Sequence, residues 1–103
     1  MRFLLKFRMP VETANAMAKA GTLGKKLGAI LDEQKPEAAY FGLEDGCRTA
    51  FVVLNISDPS EIPAIAEPWF LAANASMEAT PVMTPSDLQK AGPAIEAAAK
   101  KYA

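Results

Sequence analysis

A chain of 103 residues that is 50% apolar and 22% charged, with a net charge of -1, has the make-up of one globular domain rather than a disordered segment. It holds no histidine and a single cysteine, which removes histidine-based triads, histidine-ligated haem and most zinc sites. The basic residues are scattered, so there is no footprint for nucleic acid, and no run approaches the ~20 apolar residues of a membrane helix. The lone Cys47 has no partner for an internal disulfide and points to a reducing cytoplasm. Alanine makes up twenty of the apolar residues, so the core is thin and burial at a subunit interface would supplement it.

From the N-terminus, Phe3, Leu5 and Phe7 alternate with Leu4, Lys6 and Arg8, a period-2 strand with one apolar face. Pro10 closes it. Ala16, Ala20, Leu23, Leu27, Ile30 and Leu31 then recur at helical spacing, so a long amphipathic helix is expected from Thr13 to about Gln34; Gly21, Gly24 and Gly28 weaken it, and either permit close packing or mark a break near Gly21. Residues 38–44 and 47–55 flank Glu44-Asp45-Gly46, a hairpin signal. The second arm, Ala50 to Leu54, is apolar on both faces, so both faces should be covered, one by helices and the other by a second copy.

Asp58-Pro59-Ser60-Glu61 opens another helix, which Pro63 and Pro68 should shorten or kink. Residues 75–83 read as a fourth strand, and Pro81 confines it to an edge of the sheet. Thr84-Pro85-Ser86-Asp87 caps an alanine-rich C-terminal helix that Gly92-Pro93 interrupts. The order is β-α-β-β-α-β plus a trailing helix within one domain, residues 1–103. It is an α+β, ferredoxin-like pattern in which a four-stranded antiparallel sheet runs 4-1-3-2 under helices on one face.

The opening Phe3-Leu4-Leu5-Lys6-Phe7, the hairpin Asp45-Gly46-Cys47-Arg48, Asp58-Pro59 with Pro68-Trp69, and Ala79-Thr80-Pro81-Val82 resemble, in that order, the bacterial domain-of-unknown-function family 3303. The resemblance implies the dimeric α/β-barrel superfamily: a homodimer closed through the helix-free faces of its two sheets. Members of that superfamily include cofactor-free monooxygenases, muconolactone isomerases, haem binders and ligand-sensing domains. No catalytic residue carries over position by position, no cofactor or metal is implied, and the missing histidine speaks against the haem branch.

The helix-free face is expected to carry Leu4, Lys6, Arg8, Tyr40, Glu44, Ser76, Glu78 and Thr80. A pocket of Lys6, Arg8, Tyr40, Trp69 and Glu78 would hold an acidic aromatic ligand through charge and stacking. The competing structural reading pairs Lys6 or Arg8 with Glu78 across neighbouring strands and leaves Tyr40 and Trp69 to finish a core. Cys47 beside Arg48 lacks a base to make it a nucleophile, and Asp32, Glu33 and Glu37 read as solvated surface. Three functions follow: a small-molecule binding or sensing dimer; a cofactor-independent monooxygenase or isomerase using Tyr40, Trp69 and Arg8 on a small aromatic or acidic substrate; and a purely structural dimer. All three dispense with nucleic acid and membrane.

Overall fold

The computed structural model describes every residue from Met1 to Ala103. Four strands, β1 (Arg2–Arg8), β2 (Ala38–Glu44), β3 (Cys47–Asn55) and β4 (Ser76–Pro81), form one antiparallel sheet in the order β2-β3-β1-β4. That matches the expected order and puts Pro81 on an edge. Five helices accompany it: α1 (Val11–Lys19), α2 (Leu23–Gln34), α3 (Ile62–Ala73), α4 (Pro85–Lys90) and α5 (Gly92–Tyr102). No helix is long and apolar enough to cross a membrane.

The alternation in β1 decides which side of the sheet is covered. Leu5 and Phe7 lie opposite Val52 and Ala50 of β3, and all four are fully buried beneath α1, α2 and α3. Those helices contribute Ala14, Met17, Leu27, Ile30, Trp69 and Ala73 to the same core. Phe7 and Trp69 stack face to face, with centroids 4.4 Å apart and planes 8° from parallel. Gln34 locks the arrangement: its amide donates to the Ile65 carbonyl at 2.8 Å, and its oxygen accepts the Trp69 indole N–H at 3.3 Å. A side chain at the end of α2 thereby fixes the height of α3 over the sheet.

One expectation about the helices is decided and another corrected. Of the two readings of the glycines, the break near Gly21 holds: Gly21 takes φ +73°, a left-handed conformation that ends α1 and turns the chain into α2. α3 runs unbroken through Pro68 for 12 residues. The carbonyl that this proline leaves without a donor belongs to Ala64, an exposed residue, so solvent can satisfy it. The hairpin is as expected: Asp45 and Gly46 both have positive φ, 51° and 75°, the conformation that a two-residue turn requires.

α4 and α5 have no buried residue. The chain therefore spans 59 × 27 × 20 Å with a radius of gyration of 17.3 Å. A compact domain of this length has about 13 Å.

The stack at the centre of the core predicts that Trp69→Ala costs about 3–5 kcal/mol, a large share of the ~5–15 kcal/mol typical of a whole domain. Urea denaturation would show it as a strongly lowered midpoint. The helix starts predict a pH effect. Asp58 accepts the Ser60 amide N–H at 2.9 Å and Asp87 accepts that of Thr84 at 3.0 Å, and these hydrogen bonds hold both carboxyls below the usual range. Because the folded values are depressed, the stabilisation is complete above the unfolded value of about 3.9 and is lost as pH falls through the folded values. Carboxyl titrations followed by NMR should place both residues below the ordinary aspartate value of about 3.9.

Candidate functional site

Because Leu5 and Phe7 face the helices, Leu4, Lys6 and Arg8 must face the other way. Register extends that face across the sheet. Lys6 lies between Phe51 of β3 and Glu78 of β4, and Phe51 in turn lies opposite Tyr40 of β2. A neighbouring row runs Gly42, Thr49, Arg8, Ser76, and a third Ala38, Val53, Leu4, Thr80. Lys6, Arg8, Tyr40 and Glu78 thus share the helix-free face. Trp69 does not. It is fully buried on the opposite side of the sheet, stacked on Phe7, and cannot reach a ligand held by the other four.

The charges on this face pair differently from the nearest-neighbour expectation. Lys6 stands directly across from Glu78, yet its ammonium donates to Glu44 Oε1 at 3.2 Å. Arg8 turns the same way, its guanidinium 3.9 Å from Glu44 and 3.2 Å from Asp45. Glu44 reaches both cations over β3, whose Thr49 is fully buried and donates its hydroxyl to the Cys47 carbonyl at 3.0 Å. Glu78 remains exposed and makes no ion pair. Two polar atoms of the cluster, Arg8 Nε and Glu44 Oε2, are shielded from solvent without a hydrogen-bond partner, an arrangement that folded proteins avoid unless something else supplies the partner.

The remaining ingredients are apolar. Phe51, Val53 and Leu4 lie half-buried on the same face, and Tyr40 beside them is 67% exposed. The Phe51 ring leans over Gly42 so closely that a Cβ there would meet it at 3.3 Å. Phe51 and Glu44 complete the site but were outside the expected pocket. The signal for Phe51 was its place in a strand apolar on both faces; for Glu44 it was a position ending the strand that also carries Tyr40. The other candidates are engaged elsewhere. Arg48 donates to Asn15 Oδ1 at 2.8 Å on the helical side, and Cys47 donates weakly to the Asp45 carbonyl. Glu37 takes the Arg2 guanidinium at 2.8 Å, which raises the Arg2 pKa further above its already high ordinary value.

No groove on the chain is lined by Lys6, Arg8, Tyr40 or Glu78; the face is a patch, not a cavity. The largest groove, about 640 Å³, lies at the other end of β1 between Met1, Arg2, Asn55 and α4. Chemically the patch offers a cation pair held by one carboxylate, an exposed phenol and an aromatic floor. It can bind an anion or a planar ring.

No protein-family model matches the chain, and no curated protein matches it in sequence. Among solved structures, the de novo designed protein Ferredog-Diesel is similar, with 13% sequence identity and a TM-score of 0.44 over 79% of this chain and 85% of that one.

The charge geometry predicts opposite outcomes for two conservative substitutions. Glu44→Gln leaves Lys6 and Arg8 without their shared counter-charge and lowers stability by about 1–2 kcal/mol. Glu78→Gln stays within about 0.5 kcal/mol of the parent. Chemical denaturation of the two variants ranks them; a larger loss at Glu78 would contradict the pairing.

Proposed function

We propose that this chain is one half of a homodimeric, ferredoxin-like α/β barrel, closed through the helix-free sheet faces, which binds a small acidic or aromatic molecule between them. The observation that carries this reading is the helix-free face itself. Leu4, Phe51 and Val53 form an apolar strip that no element of the chain covers, beside a Lys6–Glu44–Arg8 cluster with unmet hydrogen-bonding capacity. A single wet face of an antiparallel sheet ordinarily alternates to polar residues; this one does so in β1 but not in β3. The resemblance to family 3303 supports the same assembly.

In such a chamber Lys6 and Arg8 would meet an anionic group, while Phe51 and Tyr40 would flank a ring. Glu44 holds the two cations in place before the ligand arrives, so less ordering is needed on binding. The role is binding or sensing, because the patch presents no nucleophile or base poised at a reacting atom. With one free cysteine and no structural disulfide, a reducing cytoplasmic setting suits the chain.

Native mass spectrometry at micromolar concentration should show a species of twice 11.0 kDa. Phe51→Lys should convert it to single chains without loss of helical circular dichroism. Salicylate at millimolar concentration should raise the unfolding temperature of the parent and not of Arg8→Met. A monomeric parent would refute the assembly, and identical responses of parent and Arg8→Met would refute the site.

A further inference from the structure

α5 is an amphipathic helix with no place in its own chain. Ile95, Ala98, Ala99 and Tyr102 recur at i, i+3, i+4 and i+7, the stripe that a packed helix buries. Yet Ile95 is 54% exposed and Tyr102 78%, and Leu88 of α4 is uncovered as well. The root of this arm is fastened. Thr84 and Asp87 form a reciprocal cap, and Asp87 lies 3.9 Å from Arg2, on the helix-free side of the sheet.

An unfilled apolar groove lies on the opposite side of the molecule. It runs between α2 and the edge strand β2, holds about 330 Å³, and is lined by Leu23, Gly24, Leu27, Gly28, Leu31 and Phe41. A Cβ placed on Gly24 or Gly28 would meet nothing within 4 Å, so the glycines leave a hollow one turn long. The arm cannot easily fill the groove of its own chain. It leaves from β4 on the helix-free side, while the groove borders β2, at the other edge of the sheet and on its helical side.

We propose that α5 of one copy docks in the α2–β2 groove of a second copy, so that the dimer exchanges C-terminal arms; this rests on the homodimer proposed above. Length matches, 11 residues for α5 against 12 for α2. Shape matches too: Ile95 has a hollow to enter at Gly24 and Gly28, and the small Ala98 and Ala99 let the helix backbones approach. Charge selects the direction. With α5 and α2 running the same way, Lys101 comes alongside Asp32 and Glu96 alongside Lys26; in the reverse direction Lys100 and Lys101 run past the start of α2 and lose the carboxylate. Reach falls to the segment before α5, because α5 itself lies along α2. The six residues of α4 cover about 9 Å and the four around it about 13 Å more when extended, against about 10 Å between packed sheets and about 10 Å more to the helical layer.

Two full-length variants in a Cys47→Ser background, Ile95→Cys and Gly28→Cys, test the exchange when mixed and oxidised. A disulfide-linked species of twice 11.0 kDa containing one chain of each is the expected product. In the native sequence, Ile95→Asp should raise the dimer dissociation constant roughly tenfold to a hundredfold. Gly28→Ala should weaken the dimer too, without loss of helical circular dichroism. If the parent is monomeric, the dimer and the exchange both fall. Dimers of unchanged strength in Ile95→Asp, without a mixed cross-link, overturn the exchange and leave the dimer standing. A single chain carrying both cysteines that closes on itself at nanomolar concentration places the arm in cis and also overturns it.

Discussion

The stacking of Phe7 on Trp69 determines which side of this sheet is inside. Phe7 sits near the end of β1, one of the sheet's two interior strands, and Trp69 comes from the helix that returns across it. With both fully buried, every second residue of β1 is committed to the helical side. Gln34 extends the constraint to α2 through its bonds to Trp69 and Ile65. The indole N–H is thereby satisfied in the core, where an unpaired donor would be costly. A one-residue slip of β1 would break the stack and drive Lys6 and Arg8 beneath the helices, so the register has no near competitor.

The opposite face inherits what the core rejects. Lys6 and Arg8 are turned out together, two cations one pleat apart, and need a counter-charge on the same face. Glu78 is nearest in register, but it can meet only Lys6 directly, whereas Glu44 reaches Lys6 and Arg8 at once and lies beside Asp45, which takes Arg8 as well. The cations are therefore drawn toward the β2–β3 hairpin, and the β4 side keeps an unpaired carboxylate. This asymmetry concentrates the positive charge of the face at its hairpin end, next to the apolar strip of Phe51 and Val53.

Much of this architecture is local and therefore legible in the residues. The alternation of β1, the Asp45-Gly46 turn, the Asp58 and Thr84 caps, and Pro81 as an edge marker each depend on a few neighbouring positions. What depends on distance was not. Trp69 belongs to a helical stripe with Ala66 and Ala73, all buried, and its side of the sheet is set by Phe7, 62 residues earlier. Its own segment is compatible with either finishing a core or lining a pocket, and the stack on Phe7 decides for the core. The Lys6–Glu44 bond spans an intervening strand, so rules for directly paired residues choose Glu78 instead. Gly21 was visible as a weak point, but only its positive φ shows that one helix had become two.

The alanine content finally explains why the chain is so long for its mass. α5 devotes four of its 11 residues to alanine, which favours the helix without tertiary help but offers little area to a core. Such a helix can stand away from its own domain and remain helical, with its few large side chains, Ile95 and Tyr102, kept in helical register. The α2 surface shows the complementary economy, since Gly24 and Gly28 give up helix propensity, by about 1 kcal/mol each relative to alanine, in return for no contact within the chain. A cost of that kind persists most readily where something outside the chain fills the space. The arm and the groove are each unexplained by the isolated fold, and the proposed exchange between copies would account for both.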